Sequence, residues 1–292
     1  FRLISTGAVL PPFQAGQYIN LFVNIDGVET ARPYAISSSP TERAYYDLTV
    51  KRVKGGFVTP YLLDEVAVGQ QLLSTGPMGT FYHNPLFHGD DLVFLAGGSG
   101  IAPAISMLKQ ILENNLGYQF HFIYASSYVD DVIFKEQLTV LAQQHKNFKL
   151  SEVISRPPEG YAGITGHLNA GLITELLGDV KNKTYYVCGP TPFNDYCQSQ
   201  LSELGVEPRF VRVEANGPPT NPQKLEGWPG ELSAEAEVTI KVKGKGSFKA
   251  KVGEPLLNSL ERNGYQAENA CRSGECSLCR VKVLSGEVFN PP

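Results

Sequence analysis

An excess of charge of either sign is missing: 25 Lys and Arg stand against 29 Asp and Glu, a net of −4. That leaves no electrostatic footprint for binding nucleic acid or an anionic membrane. Cysteine is scarce and odd in number, five in 292 residues. A disulfide framework is therefore a poor reading, and a reducing compartment, the cytoplasm, is expected. Uninterrupted apolar segments of membrane length are lacking as well. Leu92–Leu108 carries no charge, but three glycines and Pro103 break it, which argues against a spanning helix there. No charged leader precedes an apolar core at the start, so no signal peptide is expected, and internal repeats are absent.

What is present falls into segments. Residues 1–88 carry short alternating or apolar runs such as QYINLFVNI, YYDLTVKRV and QQLLSTGPM, punctuated by Gly, Pro and Asp. They predict an antiparallel β-barrel with one short helix, VTPYLLDEV. Residues 89–216 change rhythm to strand then helix, repeated, which predicts an α/β domain with a parallel sheet that binds ligand at the carboxyl ends of its strands. Residues 217–233 are rich in Pro and Gly without either period and read as a linker. From 234 to 292 a hairpin and a short helix predict a small α+β domain.

Several stretches offer chemistry. In LAGGSGIAP, Gly97, Gly98, Ser99 and Gly100 follow a buried strand and lead through Pro103 into a helix, so bare backbone amides could approach a pyrophosphate. A plain tight turn is the alternative. In YYVCGPTPF, Cys188 ends a strand and Gly189-Pro190 turns the chain; buried packing is the alternative for that thiol. Cys271, Cys276 and Cys279 form C-x4-C-x2-C, a set of soft anionic donors suited to an iron–sulfur cluster, with zinc as the rival. Cys197 reads as core.

Taken in order, RPYAISSSP (32–40), GGF (55–57), GPMGTF (76–81), GGSGIAP (97–103) and CGP (188–190) resemble the ferredoxin-NADP reductase superfamily over residues 1 to about 214. The resemblance implies that Arg32 and Tyr34 match the flavin motif R-x-Y-S, with Arg32 on the flavin phosphate and Tyr34 packed on the flavin. Ala35 stands where the family has Ser, and Ser37 lies in the same stretch. Gly55, Gly56 and Thr59 resemble a second phosphate clamp, with a helix-cap role for Thr59 as the alternative. Gly97–Pro103, with Gly189 and Pro190, would take the nicotinamide dinucleotide. Cys188 and Glu214 would be the catalytic positions at the nicotinamide, a surface carboxylate being the other reading of Glu214. Asp130 and Asp131 would repel a 2′-phosphate and favour NADH, while Ser155-Arg156 leaves NADPH open. FAD and FMN both remain open.

The cysteine loop resembles that of plant-type [2Fe–2S] ferredoxins, whose β-grasp fold matches residues 235–292. In that family a fourth cysteine lies some thirty residues after the third, so further chain is expected to supply it. The domain order resembles reductases of the phthalate dioxygenase reductase type. It implies an oxidoreductase passing electrons from NADH through flavin to the cluster, and on to a partner protein such as an oxygenase or demethylase component. A flavin or quinone reductase with a vestigial ferredoxin tail is one alternative. A non-catalytic nucleotide-binding scaffold is another.

Overall fold

The computed structural model describes residues 1–214, 217–219, 221–274 and 276–290. Two compact units divide the chain, one of residues 1–19, 34–59 and 75–216, the other of residues 20–33, 60–74 and 217–292. In chain order the elements before residue 75 are β1 (Arg2–Ile4), β2 (Tyr18–Ile25), β3 (Val28–Ala35), β4 (Tyr45–Asp47), α1 (Val58–Asp64) and β5 (Leu73–Ser74). There follow β6 (Asp91–Gly97), α2 (Ile101–Glu113), β7 (Gln119–Ser126), α3 (Lys135–Gln144), β8 (Phe148–Ile154), β9 (Ile164–Thr165), α4 (Ala170–Leu177), β10 (Thr184–Cys188), α5 (Thr191–Glu203) and β11 (Val211–Glu214). The last are β12 (Glu237–Val242), β13 (Gly246–Lys251) and α6 (Leu256–Arg262).

The first unit is built on a parallel sheet of order β11-β10-β6-β7-β8-β9. Its central strands are covered on both faces, which is why β6 and β10 read as continuous apolar runs rather than alternating ones. Leu92, Phe94 and Ala96 face one layer with Ile101, Ile105 and Leu108 of α2. Val93 and Leu95 face the other with Ile173 of α4 and Cys197 and Leu201 of α5. Cys197 is core, as its helix position suggests, and burial pushes its thiol up to about 12. The same unit holds the antiparallel pair β1–β4 and the cluster of Phe13, Ile19, Ile36, Tyr46 and Leu48.

In the second unit β5 pairs antiparallel with β2, in the order β3-β2-β5. Asp26 and Gly27, both at positive φ, form the two-residue turn between β2 and β3, the geometry a tight hairpin demands. β12 and β13 form a second hairpin, and Phe248, Ala250 and Leu260 pack α6 on it. Antiparallel β structure, a parallel α/β sheet and a small hairpin-and-helix domain therefore follow one another, as expected. Some elements differ. The predicted strands YYDLTVKRV and QQLLSTGPM are reduced to Tyr45–Asp47 and Leu73–Ser74; Leu73 lies 70 % exposed, without the burial that holds a strand. Helix α4 has no counterpart in the sequence reading, although Asn169 caps it by accepting from the Leu172 amide at 2.9 Å. Among the described residues no helix is long and apolar enough to cross a membrane.

His121 lies inside the sheet, its Nε2 2.9 Å from the Ser151 hydroxyl. Burial first, then Lys149 and Lys183, pull its pKa down to about 4. A proton therefore prefers the unfolded chain, so the stability gained by keeping His121 neutral is complete above pH 6.5 and is lost as pH falls towards 4. Urea titrations across that range should show a loss of about 2–3 kcal/mol from this residue, and His121→Gln should flatten the dependence.

Candidate active site

Strand β10 sits beside β6, whereas the chain leaves β6 through α2 to β7 on the opposite side. The carboxyl ends of β6 and β10 are thus the switch point of the sheet, where loops diverge and leave a crevice. A side-chain carbon on Gly100 would stand 1.8 Å from the Cys188 carbonyl oxygen and 2.9 Å from the Gly189 nitrogen. One on Gly189 would meet Phe193 Cδ1 at 2.5 Å and the Gly97 α-carbon at 3.2 Å. Glycine at 97, 100 and 189 is what lets the two strand ends approach. Gly98, at φ +54, turns the chain, and Tyr124 fixes that turn by donating to the Gly98 carbonyl at 2.9 Å. Ser99 follows in the same 3₁₀ turn, and Pro103 lies in the first turn of α2, whose leading amides lack intrahelical acceptors.

Across the sheet, Ala96, Cys188 and Glu214 stand in register on three adjacent strands. Cys188 is buried, and Asn194 of α5 donates to the Glu214 carbonyl at 2.8 Å. Pro190 opens α5. Lys51 was not singled out by sequence. Its Nζ lies 3.9 Å from where a Gly98 side chain would begin and 3.8 Å from Asp131 Oδ2. Arg156 Nη1 donates to the Tyr128 hydroxyl at 3.2 Å, which ties the loops that follow β7 and β8.

The residues expected at the flavin divide. Tyr34 packs half-buried against the Phe13–Leu48 cluster, and Ala35 ends β3. Ser37 is engaged internally: its hydroxyl donates to the Asp47 carbonyl at 3.0 Å and accepts from Thr49 Oγ1 at 2.9 Å. Thr59 Oγ1 accepts from the Val53 amide at 2.9 Å, closing the turn in which Gly55 adopts φ +70 and Gly56 donates to the Val53 carbonyl. Thr59 lies in the first turn of α1, and its hydroxyl ties the preceding loop rather than a helix amide. In the second unit, Arg32 Nη1 donates to Thr30 Oγ1 and the Ala31 carbonyl and stands 3.9 Å from Glu261 Oε2.

In the cysteine loop, the sulfurs of Cys271 and Cys276 are 3.2 Å apart, and the Ser273 and Cys276 amides point at Cys271 Sγ at 3.4 and 3.3 Å. Burial would raise the Cys271 thiol, but hydrogen bonds from Ser273 and Cys276 outweigh it and bring it down to about 7. Amides aimed at sulfur fit a thiolate that ligates an iron–sulfur cluster. Among the described residues no group of three His, Cys, Asp or Glu is assembled as a metal site. Of the three expected thiols, the sulfurs of Cys271 and Cys276 lie together, while Cys279 keeps the spacing of the motif.

Three family models match in order: an oxidoreductase FAD-binding domain over residues 1–83, an oxidoreductase NAD-binding domain over 94–199 and a 2Fe-2S iron–sulfur cluster binding domain over 240–292. The glycine betaine monooxygenase reductase subunit of Pseudomonas aeruginosa is 32 % identical over 99 % of this chain and 81 % of its own. The chain belongs to the iron–sulfur flavoprotein reductases of the ferredoxin reductase superfamily. It is 31 % identical to the NADH oxidoreductase HCR of Escherichia coli over 94 % of this chain and 79 % of that one. Phthalate dioxygenase reductase shares the fold with a TM-score of 0.70 at 23 % identity, covering 98 % of this chain and 82 % of that one. As a member of the superfamily the protein is an oxidoreductase with a flavin, a nicotinamide dinucleotide and a [2Fe–2S] cluster as its redox groups.

Two outcomes follow from the crevice. Gly100→Ala should cost about 3 kcal/mol of stability through the backbone clash, measured by chemical denaturation, whereas Gly89→Ala, with open space around it, should stay within about 0.5 kcal/mol. Lys51→Gln should raise KM for NADH by about tenfold, roughly one charged hydrogen bond, with little change in kcat, read by steady-state ferricyanide reduction.

Proposed function

We propose that this reductase takes a hydride from NADH at the β6–β10 crevice and delivers single electrons through its cluster to a soluble partner protein in the cytoplasm. The carrying observation is the switch point itself, where Gly97, Gly100 and Gly189 keep two strand ends in backbone contact beside Cys188. When bound, flavin accepts the two-electron hydride and the cluster carries electrons away singly, which matches a two-electron donor to a one-electron acceptor.

The assignments rest on position. Gly97, Gly98, Ser99, Gly100 and Pro103 hold the dinucleotide phosphates with backbone amides, and Lys51 supplies a cation next to them. Cys188, Gly189 and Pro190 flank the nicotinamide, and Glu214, level with Cys188, orients its carboxamide end. Asp130 and Asp131 at the ribose side favour NADH over a 2′-phosphorylated dinucleotide. Arg32, Tyr34, Ala35, Gly55, Gly56 and Thr59 border the flavin, Arg32 through the fixed fork that suits phosphate. We assign that flavin as FAD, following the matching family model. Cys271, Cys276 and Cys279 are the cluster ligands. Domain limits at residues 1–88, 89–216 and 234–292, with 217–233 as linker, are proposed on the same ground.

For the partner, the named relatives point one way: glycine betaine monooxygenase reductase, 3-ketosteroid-9-alpha-monooxygenase reductase and stachydrine N-demethylase reductase are all components of oxygenase or demethylase systems. An oxygenase component is accordingly the acceptor proposed here. Anaerobic addition of NADH to the purified holoprotein should bleach the flavin bands and yield the paramagnetic signal of a reduced [2Fe–2S] cluster, with NADPH much slower. Bleaching without that signal would select the reading of a flavin reductase with a vestigial tail, and no bleaching with either nucleotide would refute the function.

A further inference from the structure

The second unit contains a buried polar knot that the electron-transfer reading above does not use. Glu261 of α6 and Arg272, the residue after Cys271, are 7 % and 9 % exposed. Their pairing is bidentate: Arg272 Nη1 meets Glu261 Oε1 at 2.7 Å and Nη2 meets Oε2 at 2.8 Å. The same guanidinium donates to the Ala31 carbonyl of β3 at 3.2 Å and to Asn258 Oδ1 of α6 at 2.6 Å. Thr30 of β3 donates its hydroxyl to Glu261 Oε2 at 3.0 Å, and its oxygen also receives Arg32 Nη1. One carboxylate thus gathers three segments: β3, α6 and the cysteine loop.

The loop is held there against its own preference. Arg272 has φ +58, a conformation that residues with a side chain avoid. Its side chain is fixed at one end by a carboxylate and at the other elements by neutral acceptors, so the guanidinium clamps the backbone next to the buried cysteine. A buried ion pair is weak evidence for added stability, because apolar side chains of the same volume would pack as well; its distinctive effect is to select one register. Two flanking contacts tie the stretch after α6 to the β2–β3 hairpin, Gln266 Nε2 to Glu29 of β3 and Asn20 Nδ2 of β2 to the Asn269 carbonyl at 3.5 Å.

We propose that Glu261 is a positioning residue for electron transfer: by pairing with Arg272 and accepting from Thr30, it fixes the cysteine loop against β3, two residues from Arg32. Because transfer between redox groups weakens steeply with separation, this knot sets the rate at which electrons leave the flavin for the cluster and has no part in hydride uptake. The proposal rests on the assignment of Arg32 to the flavin and of Cys271 to the cluster.

The test uses the intact holoprotein mixed anaerobically with NADH in a stopped-flow spectrometer, following flavin and cluster bands separately. Glu261→Gln should slow the cluster phase several-fold and leave the flavin phase at the unmodified rate. Thr30→Val, which keeps the ion pair and removes the hydroxyl between it and β3, should slow the cluster phase in the same direction. Leu260→Ala, which loosens α6 through its apolar face, should leave the cluster phase unchanged while lowering the melting temperature. Hydrogen exchange should quicken at residues 28–33 in Glu261→Gln and not in Leu260→Ala. The proposal is overturned if the first two variants keep the unmodified cluster rate, or if Leu260→Ala slows it as much as Glu261→Gln does. Should Glu261→Gln lose iron, Thr30→Val decides alone by the same criterion. Loss of the flavin phase in the unmodified protein would instead remove the parent reading.

Discussion

The close approach of two backbones at the carboxyl ends of β6 and β10 is the constraint around which the nucleotide-binding half is arranged. No side chain fits between Gly100 and the Cys188 carbonyl, so the loop after β6 must be glycine-rich before any ligand is considered. That packing places the start of α2 beside the Cys188 carbonyl and aligns Ala96, Cys188 and Glu214 across three strands. In the proposed function the dipole of α2 would serve the phosphate anion, and the parallel register presents Cys188 and Glu214 at one level. Tyr124 extends the constraint to the next strand, because its hydroxyl both donates to Gly98 and accepts from the Ile133 amide at 3.4 Å.

Electrostatics at the crevice are more balanced than composition alone conveys. Asp130 and Asp131 look like a plain repulsive element against a 2′-phosphate, but Asp131 is paired with Lys51. The lysine comes from the antiparallel segment more than seventy residues earlier in the chain, a relation that no local pattern encodes. Both partners are about 40 % exposed, so the pair adds little to stability. Its effect is to hold an ammonium near Gly98 in the absence of tertiary support from a helix or strand.

What could be read from sequence was what is local. The glycine loop, the cysteine spacing, the parallel strands with continuous apolar faces and the Pro–Gly-rich linker each announce themselves within a dozen residues. Long-range polar contacts did not. Glu261 and Arg272 are eleven apart and read as ordinary charges on a short helix and a loop; only tertiary packing buries them and brings Thr30 and Ala31 to the same point. Short strands such as Leu73–Ser74 were over-read because β-propensity reflects half-buried packing, which exposed Leu73 lacks. Helix α4 was missed because GHLNAGLITELLG is framed by glycines, and those masked the Asn169 cap.

The departure at Ala35 shows how the flavin half tolerates a lost functional group. In the superfamily motif a serine hydroxyl stands at that position, and Ser37 is the obvious candidate to replace it. It does not: Ser37 is 2 % exposed, its hydroxyl bonds Asp47 and Thr49, and its amide donates to the Asp47 carbonyl at 2.7 Å. Moving that hydroxyl outward would leave the Thr49 hydroxyl without the acceptor it bonds in a partly buried site, a penalty of about 1–3 kcal/mol. The edge beside residue 35 is therefore a methyl group.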